Sequence, residues 1–277
     1  MRETLKEIAG RGIARANPQC RFDRCLFILA HMRCGSTALS NILCSRPDVS
    51  GYGECHIRYD SEQALGRLVL NQARAGGWKP RADVLFDKIL HNRLDGSPPT
   101  TFFDARAIFL VRDPANTIRS ICTLFATLPE NRRAEYDAPD KAAAYYVKRL
   151  RWLRDAWQRF PPNRRFGLTH AELLADPEQA LGGISARFAV TPPLKNHYRS
   201  LPASRRGGGG DPTRSGRLNR IERKEQLDHV LPIPDVDQAI WTAALAAYEA
   251  IKAEFAAAPQ QVSAGSHLAV KGAAKAR

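Results

Sequence analysis

A short buried strand, followed directly by a glycine-containing loop and a helix, constrains the fold of this 277-residue chain more than any other feature. Cys25 to Ala30 is a continuous apolar run, which is typical of a parallel strand covered on both faces. A polar stretch from His31 to Thr37 follows, and Ala38 to Leu43 then has apolar residues at helical spacing. The loop of such a unit presents backbone N–H groups at a helix N-terminus, so this order predicts an anion site.

Further apolar runs continue this alternation along the chain. Strands are predicted at 84–90, 105–111 and 166–169, and helices at 115–125, 145–160, from about 177 and at 239–256. Because strands alternate with helices, the predicted fold class is α/β, with three α/β/α layers and a central parallel sheet. The predicted organisation is a leader at 1–20, one domain at 21–257 and a disordered tail of small and polar residues at 258–277.

The charge of the chain favours anionic partners. Lys and Arg number 42 against 28 Asp and Glu, a net charge of +14, so nucleic acid, anionic membranes and polyanionic cofactors are all candidates. The basic first segment could make a peripheral contact with an anionic membrane, although a short solvated helix explains it more simply. The six cysteines form no CxxC pair, and no apolar run is long enough to span a bilayer, so a cytoplasmic protein with reduced thiols is expected.

The loop at 30–37 departs from the phosphate-binding loop of ATP and GTP enzymes. That loop reads GxxxxGK(S/T), whereas here Ala30 replaces the first Gly, Ser36 replaces the Lys and a cation stands earlier, at Arg33. No acidic magnesium ligand is evident after the third predicted strand, and no metal-ligand spacing is present elsewhere. A nucleotide kinase, which needs both groups, is therefore a less favoured alternative than an enzyme that binds its anion without metal.

Two motifs in order carry a resemblance to a known family. Arg33-Cys34-Gly35-Ser36-Thr37 resembles the R-S-G-S/T-T loop with which sulfotransferases bind the 5′-phosphosulfate of PAPS (3′-phosphoadenosine 5′-phosphosulfate). Arg112-Asp113-Pro114, with Ser120 eight positions after the arginine, resembles the second signature, which holds the cofactor's 3′-phosphate. The resemblance implies a P-loop fold and an enzyme that transfers a sulfuryl group from PAPS to a hydroxyl and releases PAP, without a metal.

Two weaker similarities extend the match. The stretch 169–177 is similar to the family's Y-E-D-L-x-x-D-P segment, with His170 where a tyrosine is frequent, and His170 is expected near the cofactor. The stretch 209–216 is similar to a glycine-rich loop that closes over the cofactor in some bacterial members. That similarity makes Arg214 and Ser215 candidate phosphate contacts.

Sulfuryl transfer also needs a base for the acceptor's proton and positive charge near the departing phosphate. Glu54 matches a G-E segment whose glutamate is the proposed base in the tyrosylprotein branch of the family, and His56 is the competing candidate. Arg33 and Lys88 are expected to stabilise the leaving group, although Lys88 could instead form a simple ion pair with Asp87.

The acceptor class stays open at this point. A carbohydrate, a lipid-linked glycan, a small metabolite or a peptide tyrosine would each suit the same transfer site. The stretches least similar to the family, 54–77 and 124–146, are expected to form the acceptor pocket. A non-enzymatic nucleic-acid-binding protein would show basic and aromatic clustering without the paired phosphate motifs, so no nucleic acid is expected as a partner.

Overall fold

A computed structural model describes residues 2–200, 218–223 and 235–258. The strands in this part of the chain are β1 (Cys25–Ala30), β2 (Val49–Ser50), β3 (Val84–Ile89), β4 (Arg106–Val111) and β5 (Arg165–Thr169). The helices are α1 (Arg2–Ala16), α2 (Ser36–Cys44), α3 (Ala64–Arg74), α4 (Asn92–Asp95), α5 (Pro114–Ala126), α6 (Glu130–Arg133), α7 (Pro139–Arg159), α8 (His170–Ala175), α9 (Pro177–Arg187) and α10 (Gln238–Ala257). The glycine-rich stretch 209–216 and the predicted tail after residue 258 lie outside the described residues.

The five strands of the described chain form one parallel sheet in the order β2-β3-β1-β4-β5. Successive side chains of β1 alternate between two apolar cores: Phe27 and Leu29 pack on one face of the sheet, and Leu26 and Ile28 on the other. A strand between two covered faces needs apolar residues at every position, which explains its unbroken apolar run. The predicted three-layer α/β fold with a central parallel sheet is confirmed.

Helices α1 and α3 cross at a pair of glycines, Gly10 and Gly66. A Cβ atom added to Gly66 would lie 1.8 Å from the carbonyl oxygen of Gly10, so the backbones approach too closely for any side chain there. Helix α3 buries Leu65 and Leu68 in the core. These residues belong to the stretch 54–77 expected to form an acceptor pocket, and their burial leaves only other parts of that stretch to do so. The leader boundary at residue 20 stays a prediction.

The helix predicted at 145–160 corresponds to α7, which begins earlier, at Pro139. Trp157 of this helix is buried between Phe109 of β4 and Phe255 of α10, with ring centroids 5.1 and 4.8 Å away, which places it in the core. A helix of this length presents a long apolar face at i, i+3 and i+4 spacing, and α10 packs against that face.

A buried ion pair lies beneath the sheet's carboxyl edge. Arg149 of α7 forms a bidentate pair with Asp95 at 2.7 and 2.9 Å, and both side chains are 1% exposed or less. The same guanidinium donates to the carbonyl oxygens of Ala30 and Ile89, at 2.9 and 2.8 Å. Arg149 thus satisfies the last carbonyl groups of β1 and β3 and holds these two strand ends together.

No helix in the described ranges is both long and apolar enough to cross a membrane. Within the same ranges, no group of three or more His, Cys, Asp or Glu side chains is arranged to hold a metal ion.

Candidate functional site

The carboxyl ends of all strands in a parallel sheet lie at the same edge, and the predicted site residues lie at or just after these strand ends. The loop at 31–35 follows β1, Lys88 is the penultimate residue of β3, Arg112 comes directly after β4 and His170 comes directly after β5. Since β3, β1 and β4 are neighbours in the sheet, their cationic residues lie side by side at this edge. The structure therefore brings these residues together at one edge of the sheet.

The loop after β1 has an unusual backbone conformation at the N-terminus of α2. Arg33 and Gly35 both have positive φ, 65° and 86°. This conformation is common for glycine but uncommon for a residue with a side chain such as Arg33. Gly35 is the N-cap of α2, and Ser36 and Thr37 form its first turn, so their N–H groups point out of the helix N-terminus. Cys34 is fully buried, and burial raises the pKa of its thiol, which leaves its backbone N–H as the group it can offer an anion.

His170 lies directly over this loop. A Cβ atom added to Gly35 would come within 2.7 Å of the His170 ring, so the glycine is required for the close approach as well as for its positive φ. His170 begins α8, whose N-cap Thr169 forms a capping box with Glu172. This short helix was not predicted, because the following helix α9 carried the stronger signals, an Asp176 cap and Pro177.

The two phosphate motifs are in direct contact. The Arg33 guanidinium donates from Nε to the Ser120 hydroxyl at 2.9 Å, and Arg112 donates from Nη1 to the Arg33 carbonyl at 3.1 Å. Arg112 Nε is buried and has no hydrogen-bond partner within the described ranges; the nearest carboxylate oxygen, on Asp113, is 3.9 Å away. A buried guanidinium N–H without an acceptor is the kind of group that a bound phosphate satisfies.

Lys88 joins the loop to the candidate base. Its ammonium lies 3.1 Å from Thr37 Oγ1 and 3.2 Å from Glu54 Oε1, and its side chain is 1% exposed. The Glu54 side chain is 13% exposed, so it reaches the surface of the site while paired with a buried cation. The competing candidate His56 is exposed.

The sequence left open an ion pair between Lys88 and Asp87, but the Asp87 carboxylate has other partners. Adjacent strand residues face opposite sides of a sheet, and Asp87 points away from Lys88. Its carboxylate accepts from the backbone N–H of Cys55 and Lys88, at 2.9 and 2.8 Å, and from the Tyr59 hydroxyl at 2.7 Å. Burial raises the pKa of Asp87 to about 6, against these hydrogen bonds, which lower it. Asp87 thus attaches the segment carrying Glu54 to β3.

Three other groups near the site were not predicted from the sequence. His31 and Tyr146 both contact the Arg112 backbone, and His91 follows β3. Burial, followed by the charges of Arg93, Arg149 and His56, lowers the pKa of His91 to about 3. The sequence signal for His31 is its position directly after the buried strand β1. Arg214 and Ser215, the remaining predicted contacts, lie outside the described residues.

A family model described as "Sulfotransferase family" matches residues 61–191. The chain is similar to the sulfotransferase family over these 131 of its 277 residues. The matched range contains Lys88, the Arg112–Ser120 signature and the stretch 169–177, whereas Glu54 and the loop at 33–37 precede it.

One solved structure supports the fold of this family. The sulfotransferase domain from the Synechococcus PCC 7002 olefin synthase has 21% identity to this chain, with 82% of this chain and 94% of that domain covered and a TM-score of 0.54. The sulfotransferase domain from the curacin biosynthetic pathway has 15% identity, with 82% and 96% covered and a TM-score of 0.46. A search of curated protein sequences finds no match. The similarity to the tyrosylprotein branch stays a prediction.

Proposed function

We propose that this chain is a sulfotransferase that transfers the sulfuryl group of PAPS to a hydroxyl acceptor and releases PAP, and that it acts in the cytoplasm. The contact between the loop at 33–37 and the Arg112–Ser120 signature is the observation that carries the proposal, because it unites sites for a 5′-phosphate and a 3′-phosphate. The acceptor belongs to one of four hydroxyl classes: a carbohydrate, a lipid-linked glycan, a small metabolite or a peptide tyrosine.

The residues at the site suit this co-substrate. The partnerless Arg112 Nε and the Ser120 hydroxyl supply donors for the 3′-phosphate that ATP lacks. The backbone N–H groups of the loop, together with Arg33, supply donors for the 5′ end. PAPS brings an activated sulfuryl group whose bond to the 5′-phosphate oxygen breaks in the transfer.

The side chains around Lys88 divide the remaining chemistry. Glu54 accepts the proton of the acceptor hydroxyl as its oxygen bonds to sulfur. Lys88 and Arg33 stabilise the negative charge that develops on the departing 5′-phosphate, which is where electrostatic catalysis is most effective. The Lys88 ammonium contacts both Glu54 and Thr37, so it bridges the base and the loop that binds the 5′ end.

Calorimetric titration with PAP, ADP and ATP, each with and without magnesium, tests the donor. Tight, magnesium-independent binding of PAP above the other two is expected, and preference for ATP with magnesium would overturn the proposal in favour of a kinase. Arg112→Ala is expected to weaken PAP binding by roughly 10- to 100-fold, the value of a charge-assisted hydrogen bond, and to change 5′-AMP binding little.

Arg106 provides the matched control. It lies at the opposite end of the same strand β4, and burial lowers its pKa just as it lowers that of Arg112. Arg106→Ala is expected to leave both affinities unchanged. Equal losses of PAP and 5′-AMP binding in Arg112→Ala would contradict the 3′-phosphate role.

A further inference from the structure

His31 occupies a fully buried position between the two phosphate motifs. It follows the last residue of β1 and precedes Arg33 by two residues. Its Nε2 lies 2.9 Å from the backbone nitrogen of Arg112, and its Nδ1 lies 2.8 Å from the carbonyl oxygen of Met32. An amide N–H can only donate and a carbonyl can only accept, so these contacts require a neutral imidazole with the proton on Nδ1.

The contact replaces a missing sheet hydrogen bond. The ladder between β1 and β4 extends to the pair Ala30 and Leu110, and Arg112 lies beyond it. Where the strand backbone of β1 turns into the loop, the His31 ring supplies the acceptor for the Arg112 N–H. Burial lowers the pKa of His31 to about 3, so the accepting tautomer persists throughout the neutral range.

Tyr146 holds the other side of the same residue. Its hydroxyl donates to the Arg112 carbonyl at 2.7 Å, and its ring packs edge-on against His31 with centroids 5.0 Å apart. Both backbone polar groups of Arg112 are thus fixed by buried side chains, and the Arg112 guanidinium reaches the Arg33 carbonyl from that fixed origin.

From this arrangement we infer that His31 is a positioning residue, which sets the location of Arg112 relative to the 5′-phosphate loop and thereby the selectivity for a nucleotide with a 3′-phosphate. The inference rests on the proposed function, because it assumes that Arg112 binds that phosphate. His31 itself touches no ligand in this role. It fixes the Arg112 backbone, so its loss should affect the contribution of the 3′-phosphate and spare the 5′ end.

The test compares two amide substitutions. His31→Asn places an amide near Nδ1 and leaves the Arg112 N–H without an acceptor, whereas His31→Gln can present its carbonyl oxygen near the position of Nε2. The measurement is the ratio of the dissociation constants for 5′-AMP and PAP, by calorimetry, with thermal melting as a check of folding. His31→Asn should reduce this ratio at least tenfold with 5′-AMP affinity within about threefold of wild type, and His31→Gln should restore most of the ratio.

Tyr146→Phe is the second variant, because it removes one hydroxyl and retains the ring. It should also reduce the ratio, which keeps the inference testable if His31→Asn does not fold. A wild-type ratio near one would overturn the proposed function and this inference with it. A large wild-type ratio that survives in the folded variants, or equal losses of both ligands, would overturn the positioning role and leave the proposed function standing.

Discussion

The ion pair between Glu54 and Lys88 makes a quantitative prediction. Lys88 is 1% exposed and Glu54 is 13% exposed, with 3.2 Å between ammonium and carboxylate. Removing one member of a buried pair costs about 3–5 kcal/mol, because the remaining charge is desolvated and unpaired. Glu54→Gln leaves the more deeply buried Lys88 ammonium with Thr37 Oγ1 and an amide oxygen, so we expect a loss of about 3 kcal/mol in unfolding free energy. For a chain of this size that corresponds to roughly 6–12 °C in melting temperature.

Lys88→Met should cost less, about 1–2 kcal/mol, since the partly exposed Glu54 carboxylate can rotate into water. The double variant should lose about 1–3 kcal/mol less than the sum of the single changes, because each single change already breaks the same contact. Denaturant unfolding of the four proteins at pH 7 gives this coupling energy directly. A coupling below about 0.5 kcal/mol would mean that the pair contributes nothing, and the reasoning on Lys88 would fail.

Two further predictions concern the loop and the acid stability of the fold. Gly35→Ala should abolish measurable PAP binding, because φ at this position is 86° and the new Cβ would lie 2.7 Å from the His170 ring. Calorimetric titration with PAP tests this prediction, and an unchanged affinity would show that the loop tolerates a different shape. His91→Gln should make stability less sensitive to acid. The folded pKa of His91, about 3, is below the ordinary histidine value of 6.5, so wild-type stability falls as pH drops below 6.5. Between pH 7 and 5 the variant should lose about 2 kcal/mol less in unfolding free energy than wild type, and equal losses would contradict the burial of His91.

The sheet was largely predictable because three of its strands, β1, β3 and β4, are buried along almost their whole length. β1, β3, β4 and β5 all coincide with predicted apolar runs, to within one or two residues at their ends. β2 was missed, since a strand of two residues has no periodic pattern and is defined only by its pairing with β3. Strand order was also beyond the sequence, because it depends on which crossover each helix makes.

The residues of the candidate site could be named from the sequence, but the contacts between them could not. The motifs indicated Arg33, Arg112 and Ser120 as site residues. They did not indicate the hydrogen bond from Arg33 to Ser120, because these residues are 87 positions apart in the chain. The alternative pairing of Lys88 with Asp87 was wrong for a geometric reason, since neighbours on a strand face opposite sides. Contacts of this range depend on the packing of α2, α5 and α7 against the sheet, which no local pattern encodes.

The spacing of the strand ends argues for a particular shape of ligand. Lys88, the Arg33 loop and Arg112 belong to three neighbouring strands, β3, β1 and β4, and neighbouring strands are about 4.8 Å apart. Two such steps separate the backbones of Lys88 and Arg112 by about 10 Å along the sheet edge. A row of cations that begins at such spaced positions suits a ligand with more than one anionic group. The row also needs a rigid backbone to hold its spacing. Buried Arg149 holds the ends of β1 and β3 together, and buried His31 holds the chain after β4.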